Sequence, residues 1–522
     1  MGKKSFIVLL TLLLVSAFSL AGFQHAEASD GKLIRIGVVP SEEEIELGSD
    51  GSFIVKDKIT GAVLAEGTNG TATVSLESTG TVETNYRLQV AWSTSETYVA
   101  DWVDRASNAG FETYLEAYNG GQRLFIGKFA SDESWSVRNA FRNEVIRLGL
   151  AANDSFWKVI TVTTGTSSMK VSLNGSNVTT ENPVVITSPD GLIEIDGKKY
   201  RGVGEVAYNS TGTLAGINEL PVEKYLYGVV PRELPPVPYG EIEAQKAQAV
   251  AARTYTLANL GKRSNDGYDL LPTTSDQVYG GYEAEHPVST RAVQETEGVV
   301  ATYDGKLITA VYHSTSGGYT ANNEDIWSSE AVPYLRGVPD SERGKAMEHV
   351  PTIEVFKNRA NPTSLRATKE GDYESDWSKY HRWEFEWTPE EISDVLSEYF
   401  SRDVGEVYEI NVTDRSDSGR VLEIEYVTEN GTFYEQKDRV RWSLKYINSS
   451  GGHSSLRSTL FFIEAVKSKS DSDAVGFKAY GGGWGHGVGL SQTGAVGMAV
   501  KGDTFDVILR HFYQGIELET RY

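Results

Sequence analysis

The residue best suited to acid–base chemistry is a glutamate set among prolines. Glu233 stands in Val229-Val230-Pro231-Arg232-Glu233-Leu234-Pro235-Pro236. Proline fixes φ and biases the residue before it away from helix. The spacing therefore predicts a short, stiff, non-helical segment. Such a segment holds a carboxyl group at a defined point, and one positioned carboxyl group can act as general acid and base. Its apolar neighbours Val229, Val230, Leu234 and Pro235 would desolvate it and raise its pKa. A second group of residues surrounds His486, which has glycine at 481, 482, 483, 485, 487 and 489 and is followed by Ser491 and Gln492. Glycine this dense allows positive φ and a close approach of backbone to ligand. The run lacks the Lys-Ser/Thr and the strand–helix context of a phosphate loop, which excludes that reading. A third group is His313-Ser314-Thr315-Ser316-Gly317-Gly318. Arg253 and Tyr255 lie on an alanine-rich segment just after Glu233, and Arg253 is suited to orient a carboxylate bidentately.

The composition bounds what these residues can do. The chain has 522 residues, enough for two to four domains. Lys3 and Lys4, the apolar run Phe6 to Leu20 and Ala26-Glu27-Ala28 form the pattern of a signal peptide over residues 1–28. Export to the cell wall or outside the cell is expected, with the membrane met only through that segment. There is no cysteine, so thiolate zinc is excluded. The spacing of the histidines supports no other metal site, and no cofactor motif is read. A formal charge of −23 argues against nucleic acid, whose binders carry basic patches. It equally disfavours a purely electrostatic hold on an anionic wall polymer. Recognition would have to be local, and 10 Trp and 27 Tyr leave room for stacking.

The elements that must position these residues divide into four stretches. Residues 29–80 read as a small β region of short alternating strands. Residues 84–165 read as strand, helix, two strands, helix, strand, the βαββαβ order of a small ferredoxin-like split. Their helices are expected over Ser95 to Gly110 and Ser131 to Leu150. Residues 168–522 begin with strands, and 168–232 are expected to be all β. An alanine-rich helix follows from Glu243 to about Leu260, then loops, a strand from Gly305 to Tyr312, a helix from Pro389 to Phe400, and a closing helix from Thr504 to Phe512. The fold class is α+β.

Several ordered blocks of residues 198–522 resemble the SpoIID/LytB family, the stage II sporulation protein D and amidase enhancer proteins. They are Lys199-Tyr200-Arg201-Gly202, Ile217 to Pro231 with Glu233, Ala244 to Tyr255, Tyr312 to Thr320, Pro333-Tyr334-Leu335, and Gly481 to Ala495. The 84–165 segment resembles a SPOR domain, through Tyr86-Arg-Leu-Gln-Val90 and Arg123-Leu-Phe-Ile-Gly-Lys-Phe-Ala-Ser131. SPOR domains bind peptide-stripped peptidoglycan strands, chiefly on the exposed sheet. The resemblance implies a SpoIID-type domain, β-rich with a central helix. It further implies a lytic transglycosylase that cleaves MurNAc–GlcNAc linkages with Glu233 as its one acid/base. Arg253, Tyr255, His313, Ser314, Ser316, His486, Ser491 and Gln492 are then substrate-binding candidates. Some relatives bind zinc near the His313 loop through cysteines, which this chain lacks. The partners implied are glycan strands and an N-acetylmuramoyl-L-alanine amidase. The alternative activity is that of a non-catalytic modifier that stimulates such an amidase.

Overall fold

Strand alternation builds the frame. In the computed structural model, which describes residues 32–78, 81–118, 121–152, 155–164, 167–342, 352–358, 372–448, 450–467 and 474–522, β1 (Leu33–Glu42), β2 (Glu44–Asp57) and β3 (Val63–Ser78) open the chain. The expected signal peptide lies outside the described residues. Ile45, Leu47, Phe53 and Val55 of β2 turn inward, while Glu44 and Glu46 between them stay exposed, the period-2 signature of a sheet with one buried face.

Between β3 and the next strand of that sheet lies an inserted module. It consists of β4 (Thr81–Ser93), α1 (Glu96–Asn108), β5 (Thr113–Tyr118), β6 (Gly121–Ala130), α2 (Trp135–Arg147) and β7 (Phe156–Thr164). Its four strands pair in the order β5-β6-β4-β7. Leu88, Val90, Leu124 and Ile126 from the sheet meet Ala106 and Val145 from the helices. Ser95 and Ser134 cap the two helices, accepting from Tyr98 N and Val137 N, and the second starts later than expected because Ser134 is its cap. The opposite face of the sheet is charged and crowded. Lys158 and Arg123 hold Glu116 at 2.7 and 3.4 Å, and the Arg123 guanidinium lies 3.1 Å from the centre of the Tyr118 ring. Phe125 is fully buried there. Asn265, from the large body of the protein, donates to Glu116 at 3.4 Å.

The first sheet resumes with β8 (Ser168–Leu173), β9 (Ser176–Thr180), β10 (Val184–Thr187), β11 (Leu192–Ile195), β12 (Lys198–Arg201), β13 (Val203–Tyr208) and β14 (Leu214–Pro221). Ten strands join in the order β1-β14-β13-β10-β2-β3-β8-β9, with β11 bridging β12 and β2. β1 pairs antiparallel with β14, Leu33 opposite Pro221. The stretch read from sequence as a separate small β region is thus hydrogen-bonded into the sheet that leads to Glu233.

Two helices follow directly: α3 (Val222–Glu233) and α4 (Ile242–Ala258). α3 corrects the expectation of an all-β 168–232 and of a non-helical segment at Glu233. Val222, Tyr225, Leu226, Val229 and Val230 recur at helical spacing and are all buried. Pro231 enters only in the last turn, where it forfeits one hydrogen bond, and the closing bond, Leu234 N to Val230 O at 2.9 Å, survives. The burial of five apolar side chains outweighs one missing donor. Gly228 lets the Tyr279 ring against the helix, since a Cβ there would stand 2.6 Å from it.

α4 is the axle of the body. Ala244, Ala247, Ala249, Ala251 and Ala252 are fully buried. α3 and the helices Pro287–Glu295, Gln492–Val500 and Phe505–Phe512 all pack against it. Small side chains are what permit so many close neighbours. The expected strand from Gly305 to Tyr312 is two short pieces, Lys306–Leu307 and Tyr312–His313, and the second pairs with Leu490–Ser491. Residues between 372 and 481 form a further unit with its own core of Trp383, Trp387, Ile392, Leu396, Val407, Ile424, Phe461 and Phe477.

Arg253 of α4 is fully buried and grips Glu223 of α3 bidentately, Nε to Oε1 at 2.6 Å and Nη2 to Oε2 at 2.7 Å. The bidentate carboxylate expected of Arg253 exists, but it is Glu223 and serves to lock α3 to α4. Tyr522 adds a 2.8 Å hydrogen bond to the same carboxylate. Arg253→Met should cost about 3–5 kcal/mol in denaturant unfolding, because Glu223 stays buried without its cation. Adding Glu223→Leu should restore most of that loss.

Candidate active site

Glu233 is the last residue of α3, at a seam between two cores. Val229 and Val230 belong to the core under the large sheet, and Leu234 belongs to the core around α4 and the C-terminal helices. The side chain is largely buried between them. Its Oε1 accepts the Val278 N–H at 2.6 Å, and the Tyr312 hydroxyl hydrogen-bonds to it as well. Burial drives its pKa up from the ordinary 4.5 to about 7. The Val278 N–H, Tyr312, the Arg232 charge and Gln492 pull in the opposite direction without cancelling that effect. The result is a carboxyl group that can be proton donor or acceptor near neutral pH, with donors already aimed at its charged form.

The partners are themselves held. Gln277 donates to the Tyr312 hydroxyl at 3.1 Å and to Ala252 O at 3.2 Å, and accepts from Thr256 at 2.8 Å. With Gln277 as donor, the Tyr312 hydroxyl hydrogen is left for Glu233. Gln492, at the start of the helix Gln492–Val500, donates to the backbone carbonyl of Glu233 at 2.9 Å and to Gln248 at 3.2 Å. The groups acting most strongly on Glu233 include no second carboxylate.

The two glycine-rich loops meet beside this glutamate. Tyr312–His313 pairs in parallel with Leu490–Ser491, and Thr315 exchanges backbone hydrogen bonds with Trp484 at 3.1 and 2.8 Å. Gly317 takes φ +84, and a Cβ there would stand 2.8 Å from the Gly482 carbonyl carbon. His313 and His486 rings lie 5.6 Å apart. His313 Nδ1 bonds Val488 O at 3.1 Å, while His486 Nδ1 accepts the Val488 N–H at 3.1 Å and its other nitrogen faces the Tyr312 carbonyl. Burial lowers both pKa values, His486 to about 4, so both rings are neutral at pH 7. They orient the strand that carries Tyr312.

Beneath the loops lies a buried carboxyl pair. Glu374 accepts Ser316 N and Gly317 N at 2.8 Å each and His381 Nδ1 at 2.7 Å. Ser316 Oγ reaches Asp340 at 2.8 Å. Burial and the Glu374 charge push Asp340 well above the carboxylate range and keep it protonated. Glu374 stays ionised because its donors and His381 outweigh its burial. Arg420, also fully buried, donates to Ser316 O at 2.8 Å and Tyr319 O at 2.9 Å.

The sequence candidates thus separate. Gln492 reaches Glu233 directly. Ser314 is half-buried at the edge, its carbonyl tied to Thr493 N at 3.1 Å. Tyr255 hydrogen-bonds Asp276 at 3.5 Å on the far side of Gln277. His313 and His486 brace the loops. Ser316 and Ser491 are fully buried on the Glu374 side, and Arg253 is locked to Glu223. Sequence reasoning missed Tyr312, Gln277, Val278 and Gln248. Tyr312 was within reach, since it adjoins His313 in a block already singled out. The residues near His313 do not fit zinc: there is no cysteine, and the two imidazole nitrogens left over, His313 Nε2 and His381 Nε2, belong to no cluster of three ligands among the described residues. Among the described residues no cluster of three or more His, Asp or Glu is arranged for a metal.

Two family profiles match the chain. One, described as stage II sporulation protein, covers residues 210–303, and one described as a domain of unknown function covers 321–489. An amidase enhancer of Bacillus subtilis (strain 168) is 31% identical over 380 residues, 68% of this chain and 50% of that protein. Stage II sporulation protein D of Bacillus amyloliquefaciens is 28% identical over 317 residues, 58% of this chain and 75% of that protein. The chain belongs to the SpoIID/LytB family. It spans half the length of the amidase enhancer it matches. A solved peptidoglycan-binding domain of the B. subtilis cell wall lytic enzyme CwlC aligns with 17% of the chain at 17% identity, with a TM-score of 0.13, too low to assign a fold.

The displaced pKa of Glu233 has a sign that can be measured. Its folded value, about 7, lies above its unfolded 4.5. The unfolded chain therefore releases this proton first, and stability falls as pH rises from 4.5 to 7, by at most about 3 kcal/mol. Glu233→Gln should remove that decline. The variant should gain on the wild type between pH 4 and pH 8 in denaturant unfolding, whereas parallel pH curves would contradict the assignment.

Proposed function

We propose that this chain is an exported cell-wall protein that cleaves MurNAc–GlcNAc linkages in peptidoglycan glycan strands by lytic transglycosylation. The observation that carries this reading is a single, largely buried glutamate near pKa 7, with hydrogen-bond donors ready for its charged form. Glycoside hydrolases use two carboxyl groups that flank the bond. Here one must suffice. Glu233 gives its proton to the glycosidic oxygen as the C1–O bond breaks and the GlcNAc 4-hydroxyl leaves. The carboxylate so formed, stabilised by Val278 N–H and Tyr312, accepts the proton of the muramyl O6 hydroxyl as O6 bonds to C1. The product is a 1,6-anhydro end, and no water is consumed. In this reading residues 84–165 are a SPOR-like strand-binding module and residues 1–28 a signal peptide. Residues 32–78 join 168–522 in the catalytic body.

The second reading is a non-catalytic enhancer of an N-acetylmuramoyl-L-alanine amidase, favoured by the name of one relative. An enhancer has no use for a glutamate poised this way. Purified strands, with and without stem peptides, separate the two readings by mass spectrometry. The enzyme reading expects anhydro-muramyl ends from the wild type and a loss of at least about 100-fold in Glu233→Gln. Absence of cleavage, together with faster turnover by an added amidase, would establish the enhancer instead.

Tyr312→Phe provides a second test. The hydroxyl favours the charged carboxylate, so its removal should raise the Glu233 pKa further. The alkaline limb of kcat/KM, where the acid loses its proton, should then move above pH 7 while the rate at its maximum falls.

A further inference from the structure

Beyond the glutamate, one surface of the 321–489 segment carries an arginine set among aromatic rings. Arg457 is half-buried, and its guanidinium lies 4.2 Å from the Tyr380 ring centre, 5.3 Å from Trp484, 5.5 Å from Tyr446 and 5.6 Å from Phe385. Among the described residues its side chain makes no hydrogen bond or ion pair. In a protein of net charge −23, an arginine with no ion-pair partner among the described residues, set among four rings, is selectively placed. Guanidinium groups recognise planar oxyanions, and stacking on rings leaves the N–H edge available for them.

A chain of largely buried hydrogen bonds links the rings to Glu233. Gln492 touches Glu233, and the next residue, Thr493, bonds Ser314 O at 3.1 Å and the Thr315 hydroxyl at 3.2 Å. Thr315 pairs with Trp484, whose indole is 41% exposed although it stands on a glycine loop. Trp484 meets Tyr380 edge-on at 4.5 Å. Beyond Arg457, Phe385 and Tyr446 stack at 3.8 Å and 17°. An exposed ring offers a face to a pyranose, and alternating rings and a bare guanidinium suit a polymer of sugars that carry carboxylates.

The geometry points to Trp484, Tyr380 and Arg457 as a strand-holding platform on the 321–489 segment, with Arg457 reading the free lactyl carboxylate of a MurNAc residue whose peptide has been removed. This deepens the proposed function and rests on it. In an amide-linked MurNAc that carboxylate is neutral and blocked by the stem, so the platform selects peptide-free strands. Selectivity would then reside in the segment that matches a domain of unknown function, outside the residues around Glu233.

The test uses the full chain with Glu233→Gln, so that no strand is cut, and follows hydrogen exchange of residues 481–489. Peptide-free strands should protect this loop. Chitin oligomers of equal length, which lack the carboxylate, and peptide-bearing strands should protect it at least about tenfold more weakly. Arg457→Gln should abolish the difference between peptide-free strands and chitin, Arg457→Lys should restore part of it, and Trp484→Ala should weaken both ligands. Equal protection by chitin oligomers, protection by a polyglycerol-phosphate polymer instead, or full protection retained in Arg457→Gln would overturn the assignment. So would no protection by any ligand. Cleavage by the wild type, measured separately, reports on the transglycosylase reading whichever of these results is found.

Discussion

The site depends on one constraint: a carboxyl group forced into a seam between two hydrophobic cores. α3 ends there because Pro231, Pro235 and Pro236 allow no further turn, and its last residue is Glu233. Water is largely excluded, so ionisation is costly. The Val278 N–H and the Tyr312 hydroxyl return part of that cost. A fully solvated glutamate would be ionised at neutral pH and useless as an acid. A fully buried one without donors would never give up its proton. The site lies between these limits, and the surrounding contacts keep it there.

Those contacts come from far along the chain. Val278 is 45 residues from Glu233 and Gln492 is 259 away. Tyr312 arrives on a two-residue strand whose partner, Leu490–Ser491, lies in the other glycine-rich loop. The two loops are fastened from below by Glu374, which binds two successive backbone N–H groups, Ser316 and Gly317. An ionised carboxylate beside a protonated one is a costly arrangement to bury. Its return is the fixed position of the strand that carries Tyr312. The arginine–glutamate lock between α3 and α4 does the same from the other side. Much of the conspicuous polar chemistry in this chain therefore serves to hold one side chain still.

This division explains what could be read in advance. The alanine-rich helix was legible to within a few residues, 242–258 against an expected 243–260, because burial on many sides demands small residues there. The direction of the Glu233 pKa was legible from the apolar residues beside it. The helix that carries Glu233 was not, because the prolines at 231, 235 and 236 mask the helical spacing of the apolar residues from Val222 to Val230. The loop residues His313, Ser316, His486 and Ser491, expected to bind substrate, lie close together, yet their side chains point inward as braces. A polar residue in a glycine-rich loop looks the same in sequence whether it faces a ligand or a buried carboxylate. Only pairing over more than 100 residues decides which, and local pattern carries no trace of that.

The most direct test of this account is the titration of Glu233 itself. Carbon-13 NMR of the glutamate carboxyl groups, with the Glu233 signal assigned by its absence in Glu233→Gln, yields its pKa in the folded protein. A midpoint near 7 is expected. A midpoint near 4.5, the ordinary value for a solvated glutamate, would contradict it.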